Sequence, residues 1–265
     1  MEHKIFWYIP EKLESSEQIV EDIVQGIKDD GRIKICGAYT EGYLREGLLE
    51  KLEGAVWKNY PEVTPEVKKE IEKVILGTFE LANKTLEIPI GQLVYVFPWQ
   101  DNLPECGMGG ITGMAQYSCV FHLYVDFRGF SMKDLRDTIV HELNHTIYYY
   151  RNYDRMGEYS LLENIVMEGL AEHFREDVLG GEHAPWAIAL DEEEAFEMAK
   201  RLSPDWDSTD WYGPLPEVIF GWGKYPRWFG YTLGYWMVKR MREKYPQITW
   251  DELMDVDLEE YRKMV

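Results

Sequence analysis

Five residues, His141-Glu142-Leu143-Asn144-His145, restrict this chain more than any other feature. They lie in a run with a marked start. Ser131, with Asp134 three positions on, is a capping-box pattern, and the periodicity predicts a helix to about Tyr150. Residues 141 and 145 then sit one turn apart on one face, so two imidazoles can converge on one metal. Glu142 falls about 100° round from His141 and about 60° from His145. It stands beside the ligand stripe, suited to reach a water on the metal rather than the metal itself. Neutral imidazoles suit zinc, and a carboxylate beside the water can take its proton. With only six histidines in 265 residues, composition alone would produce such a pattern roughly 0.02 times. The competing reading is two histidines and a glutamate on a helix by chance. Against it stand the cap, the strand-like segment ahead of the helix, and Ile139, Val140, Leu143 and Ile147 on the flanking faces.

A two-histidine zinc needs a third protein ligand and an open position. A third histidine in the extended form of the motif would need Gly at 148 and His at 151, and those positions hold Tyr148 and Arg151. A glutamate on a following helix is the alternative. Residues 163–174 read ENIVMEGLAEHF. Glu168 precedes Gly169, a small residue expected to let this helix approach the first. Glu172, one turn on, is placed to hold a ligand imidazole by its other nitrogen. Glu163 and His173 are weaker ligand candidates, and solvated carboxylates on an amphipathic helix are the plain alternative.

The rest of the chain supplies context. The first ninety residues read as helical: Ser15 and Ser16 cap a helix carrying Ile19, Ile23 and Ile27, residues 42–58 follow, and Thr64-Pro65-Glu66 starts a helix to about 86. The texture changes at Pro89. Residues 91–99 and 117–127 read as strands, with a Gly-rich turn over 106–116. Helices are expected at 158–178, 191–202, 228–244 and 250–264, the last with a Thr249/Glu252 capping box. Residues 203–226 read as a long loop, with Trp206, Trp211, Trp222 and Trp228 on or beside it either as a substrate wall or as anchors to the core. This predicts an α+β fold, mainly helical with a small mixed sheet. Residues 1–88 form a helical N-terminal region expected to pack as one globular unit with a metal-binding domain at 89–265.

Charge narrows the partners. Lys and Arg number 28 against 48 Asp and Glu, a net charge of −20. Phosphate neutralisation needs clustered cations, so nucleic acid is excluded, and the anionic membrane surface is disfavoured by the same sign. Three cysteines without Cys-x-x-Cys spacing do not make a disulfide framework or a thiolate zinc site. The N-terminal apolar run, Ile5 to Ile9, is too short for a secretory signal. The expectation is a soluble cytoplasmic protein of undetermined oligomeric state. His3 and His183 read as surface residues without companions, and His122 as structural.

HELNH followed by MEGLAEH resembles the gluzincin metallopeptidases, whose second motif is a ligand Glu followed by Gly, an apolar residue and Ala. The chain also resembles a family of predicted zinc-dependent proteases catalogued as a domain of unknown function. The match includes the segment 109–126, GGITGMAQYSCVFHLYVD, and Gly230-Tyr231-Thr232-Leu233-Gly234-Tyr235 in a late helix. The resemblance implies a zincin-like fold and peptide-bond hydrolysis. His141, His145 and Glu168 would bind Zn2+, and Glu142 would be the general base. It also implies a Tyr or His that binds the oxyanion. Tyr231 is the candidate, with Tyr235 the alternative, and a buried core tyrosine is the competing reading of either. The strand 117–126 resembles the edge strand that pairs with extended substrate. The rival function is a zinc-binding regulatory or partner-binding module without catalysis; the presence of Glu142 argues against it.

Overall fold

A computed structural model describes residues 2–8, 16–31, 41–52, 62–98, 110–152, 159–202, 204–210 and 213–265. Trp57, Cys36, Cys106 and Trp211 lie outside these residues. The protein is α+β and mainly helical, with one four-stranded mixed sheet. It divides into two compact units, residues 1–157 and 158–265. Among the described residues no helix is long and apolar enough to cross a membrane.

The first unit is built on the sheet. Strand β1 (Lys4–Trp7) pairs in parallel with β2 (Leu93–Pro98), and β2 in parallel with β4 (Val120–Val125). The hairpin partner β3 (Ile111–Tyr117) runs antiparallel to β4, giving the order β1-β2-β4-β3. The N-terminal stretch read as helical therefore also supplies a strand, and residues 111–116 of the segment read as a Gly-rich turn belong to β3. Every residue of β2 and β4 is buried, which is why both read as near-continuous apolar runs. His122 sits on β4 with its ring edge-on to Tyr95 and Phe97, both at 5.7 Å, as the structural reading expects.

Helices cover the sheet. Helix α1 (Ser16–Asp30) buries Ile19, Val20, Ile23, Val24 and Ile27, and α2 is Glu41–Leu52. The N-cap Thr64 and Pro65 start α3 (Pro65–Ala82) as the sequence predicts. Phe79 of α3 meets Phe121 of β4 edge to face at 6.0 Å. Helix α4 (Met132–Arg151) begins at Ser131, whose hydroxyl accepts from the N–H groups of Lys133 and Asp134. It lies against β3 at Gly113, where an added Cβ would stand 2.3 Å from Glu142 Cγ and 2.7 Å from Thr138 Cγ2.

The second unit is helical. Helix α5 (Leu161–Leu179) starts at the N-cap Ser160, α6 (Glu192–Ala199) at an Asp191/Glu194 capping box. Helix α7 (Pro214–Phe220) lies inside the stretch read as a loop. Helix α8 (Phe229–Lys244) crosses α5 at backbone contact: a Cβ on Gly234 would be 1.9 Å from Ile165 O, and one on Gly169 2.1 Å from Gly234 O. Gly169 thus serves the α5–α8 crossing. The expected final helix is two, α9 (Trp250–Met254) and α10 (Leu258–Arg262). The Thr249/Glu252 capping box is present, but Asp257 accepts from Glu259 N–H and starts a new helix.

Candidate metal centre

On α4 the two histidines meet as the spacing requires. Their Nε2 atoms are 3.1 Å apart and their rings stand at 86°. On a tetrahedral zinc with Zn–N bonds of about 2.0–2.1 Å, two nitrogens lie roughly 3.3 Å apart. The pair is therefore pre-set for one metal, and two imidazoles are a donor set that zinc accepts.

Glu142 is 7% exposed and turned under β3. Its Oε2 accepts the Ala115 N–H at 2.5 Å. That N–H is available because Gly110 O accepts from Asp126 N. Gly110, Thr112 and Met114 thus direct their backbone groups to β4, and Ile111, Gly113 and Ala115 direct theirs outward. Among the described residues, the edge strand of the sheet beside α4 is therefore β3. Strand β4, expected to pair with substrate, lies between β2 and β3 and has no free edge. Gly113 and Ala115 carry no sequence signal of their own, because their contact with Glu142 exists only once β3 lies over α4.

The second unit holds the remaining candidates. Glu168 is half-buried on α5. Glu172, 0% exposed, accepts from Arg175 Nε at 3.1 Å and from the Trp186 indole N–H at 2.6 Å. Arg175 also reaches Glu176, at 3.5 Å, and the carbonyl of Glu182. A carboxylate taken out of water needs such partners. Arg175 has a local signal, three residues after Glu172; Trp186 has none.

Tyr235 is buried, with its hydroxyl beside Glu176 Oε2 (3.3 Å) and His183 Nδ1 (2.9 Å). Desolvation first, and then the Glu176 charge, hold it above the ordinary phenol range. Its ring stacks on His173 at 4.4 Å. His173 Nε2 lies 3.0 Å from the Tyr235 carbonyl, which can only accept, so that nitrogen carries the proton. Burial holds the His173 pKa below the ordinary imidazole value. The weaker ligand candidate His173 is thus engaged with α8, and Glu163 is buried in the first turn of α5. His183 has companions after all, Glu176 at 2.6 Å and Tyr235. So has His3, whose Nδ1 accepts from Gln92 N and whose ring meets Phe79.

Tyr231 is half-buried on the first turn of α8, 5.6 Å from the Trp228 ring. Trp228 has φ 68°, the one positive φ outside glycine among the described residues. For a bulky side chain that is a strained conformation of roughly 1–3 kcal/mol. Trp206, 4% exposed, is an anchor, its carbonyl accepting from Leu162 N, whereas Trp222 is 54% exposed.

A capped helix carrying two histidines one turn apart and a buried glutamate beside them, under the edge strand of a mixed sheet, defines an α+β protein with a candidate zinc centre. The chain belongs to the family described as predicted Zn-dependent protease (DUF2268), whose model matches residues 67–263. The uncharacterized protein YjfC of Bacillus subtilis (strain 168) is 29% identical over 90 residues, 34% of this chain. The match spans 28% of that relative's length. No solved structure matches the chain.

Proposed function

We propose that this chain is a zinc-dependent peptidase of zincin-like architecture, with His141, His145 and Glu168 as metal ligands and Glu142 as general base. The observation that carries the reading is the α4 pair, two Nε2 atoms 3.1 Å apart with a buried carboxylate beside them. The family description points the same way. When bound, zinc would polarise the scissile carbonyl and acidify the attacking water. Glu142 takes the proton from that water and returns it to the leaving amine. The Ala115 N–H holds Glu142 Oε2, so the carboxylate meets its water already oriented. Tyr231 donates to the developing oxyanion; Tyr235, its hydroxyl held by Glu176 and His183, is the weaker alternative. Glu172 supports the site through α5. The substrate is a peptide or protein, paired as an extended strand with the outer edge of β3. Nucleic acid and membranes are not partners in this reading, and the setting is the cytoplasm.

The test is Glu142→Gln. It should retain one zinc per chain by elemental analysis and lose turnover of a broad peptide set. A variant that cleaves at the parent rate refutes the mechanism. Zinc bound with no hydrolysis by the parent favours a non-catalytic module.

A further inference from the structure

Within the second unit an open groove of about 650 Å³ lies where α8, α9 and α10 meet. Pockets of roughly 300–1,000 Å³ are of the size that takes a ligand. One wall is apolar: Met241 from the last turn of α8, Tyr245 and Ile248 from the turn that follows, and Val256 between α9 and α10. Tyr245 is 45% exposed. Apolar surface with a polar rim marks an interaction site.

The groove is preformed. Ile248 N–H donates to Tyr245 O at 3.0 Å and closes the turn. The Thr249/Glu252 capping box fixes the start of α9. The buried Tyr261 hydroxyl donates to Leu253 O at 2.9 Å and ties α10 to α9. Such a wall needs little ordering when something binds.

The rim selects the charge of the occupant. Glu252, Asp257 and Glu260 line it against one lysine, Lys244. Lys244 lies 3.6 Å from Glu260, which Lys263 also meets at 2.5 Å, so Glu260 is balanced. Glu252 Oε2 accepts from Thr249 N and Oγ1, and Asp257 Oδ1 accepts from Glu259 N. The other oxygen of each has no hydrogen bond among the described residues. The bonds from Thr249 hold the Glu252 carboxyl below its ordinary value, so it is charged at neutral pH. These carboxylates do not converge: among the described residues, no three come within 4.8 Å of one another. One ion cannot satisfy them together, whereas cations spaced along a chain can. A second copy of this chain, itself at −20, carries the same sign and is repelled.

We propose that this groove docks a segment of a partner protein in which a large apolar side chain is flanked by lysine or arginine. The docking requires neither metal nor turnover. It is tested by fluorescence anisotropy on the full chain carrying Glu142→Gln, with three matched labelled peptides: Leu-Phe flanked by lysines, Leu-Phe flanked by glutamates, and Ala-Ala flanked by lysines. The first should bind, the Ala-Ala peptide about tenfold more weakly, and the glutamate peptide not at all. Glu252→Gln with Asp257→Asn removes two charges and keeps both caps, because Gln and Asn accept the same bonds. It should weaken the first peptide about fivefold at parental Tm. Tyr245→Ala, a surface change, should weaken it by a similar factor, and chelation of zinc should leave binding unchanged. No binding at about 1 mM peptide overturns the proposal. So does equal binding of the lysine and glutamate peptides, or of the Leu-Phe and Ala-Ala peptides. Affinity unmoved in both variants places the contact elsewhere on the acidic surface and also overturns it. Binding abolished by the chelator assigns the peptide to the metal centre, which overturns the groove and leaves the peptidase reading standing. A dimer in sedimentation that Tyr245→Ala dissociates overturns it too, with a second copy as the occupant.

Discussion

Replacing Gly113 by alanine tests the seat of Glu142 directly. The new Cβ would fall 2.3 Å from Glu142 Cγ, 2.7 Å from its Oε1 and 2.7 Å from Thr138 Cγ2. Carbon atoms in contact stay about 3.5–4.0 Å apart. Either the Glu142 side chain swings by more than 1 Å, or α4 and β3 separate by a similar amount. Swinging breaks the Ala115 N–H bond to Oε2, and a hydrogen bond to a charged group contributes about 1.5–3 kcal/mol. Separation is overpacking, which costs about 1–3 kcal/mol. The expected destabilisation by either route is about 2 kcal/mol, a fall in Tm of roughly 4–8 °C. Turnover should fall about 100-fold, the usual effect of a 1 Å misplacement of a reacting group. Zinc content should stay at the parent level, because neither histidine is touched. The assay combines thermal melts, elemental zinc and initial rates on one peptide. Gly77→Ala on α3, where an added Cβ meets nothing within 4 Å, is the control and should gain about 0.5–1 kcal/mol. A Gly113→Ala protein with parental Tm and rate would refute the placement of Glu142 beneath β3.

Gly234→Ala puts a Cβ 1.9 Å from one backbone atom and 2.9 Å from another, neither of which can rotate away. It should destabilise the second unit by about 3 kcal/mol or more in urea unfolding, and a loss below 1 kcal/mol would show that the crossing is loose. Arg175→Met strips a cation from the fully buried Glu172 and should cost about 3–5 kcal/mol, whereas Arg175→Met with Glu172→Gln should be clearly milder. Equal losses in the two would refute the buried pair. His173, faced by Arg242, Glu176, Asp177 and the Tyr235 carbonyl, has a folded pKa below its ordinary value. Between those two values the unfolded chain binds more protons. Its stability is therefore complete above about pH 6.5 and declines as pH falls through the folded value. Thermal melts from pH 7 to 5 should show that decline, and His173→Phe, which keeps the stack on Tyr235, should flatten it. An unchanged slope would mean that other groups set the acid response.

The metal motif was legible because its geometry is local. Two histidines four residues apart on a capped helix converge whatever surrounds them, and the Nε2 separation of 3.1 Å follows from the helix. The caps at Thr64, Ser131 and Thr249 were legible for the same reason, each being a side chain bonded to an N–H two or three residues on. The sheet was not. Alternation marks 120–125 as a strand but is the same for an interior and an edge strand, so the edge was assigned to the wrong member of the hairpin. Strand β1 is four residues long and is stabilised by a partner 89 positions away, Lys4 against Leu93. A glycine declares that a close approach is possible and not to what. Gly169 proved to serve α8, and Gly113, inside a segment read as a turn, proved to seat Glu142.

By itself, then, the sequence determined the helix that carries His141, Glu142 and His145, the order of most helices, and a charge balance unsuited to nucleic acid. Tertiary structure alone decided that β3 is the edge, that its Ala115 N–H holds Glu142, that Glu172 is paired with Arg175 and Trp186, and that Tyr235 is locked by Glu176 and His183. The division follows the range of the forces. Caps and helical faces are set by neighbours within one or two turns. Edge order, backbone contact at glycines and the pairing of buried charges depend on which distant segments exclude water together.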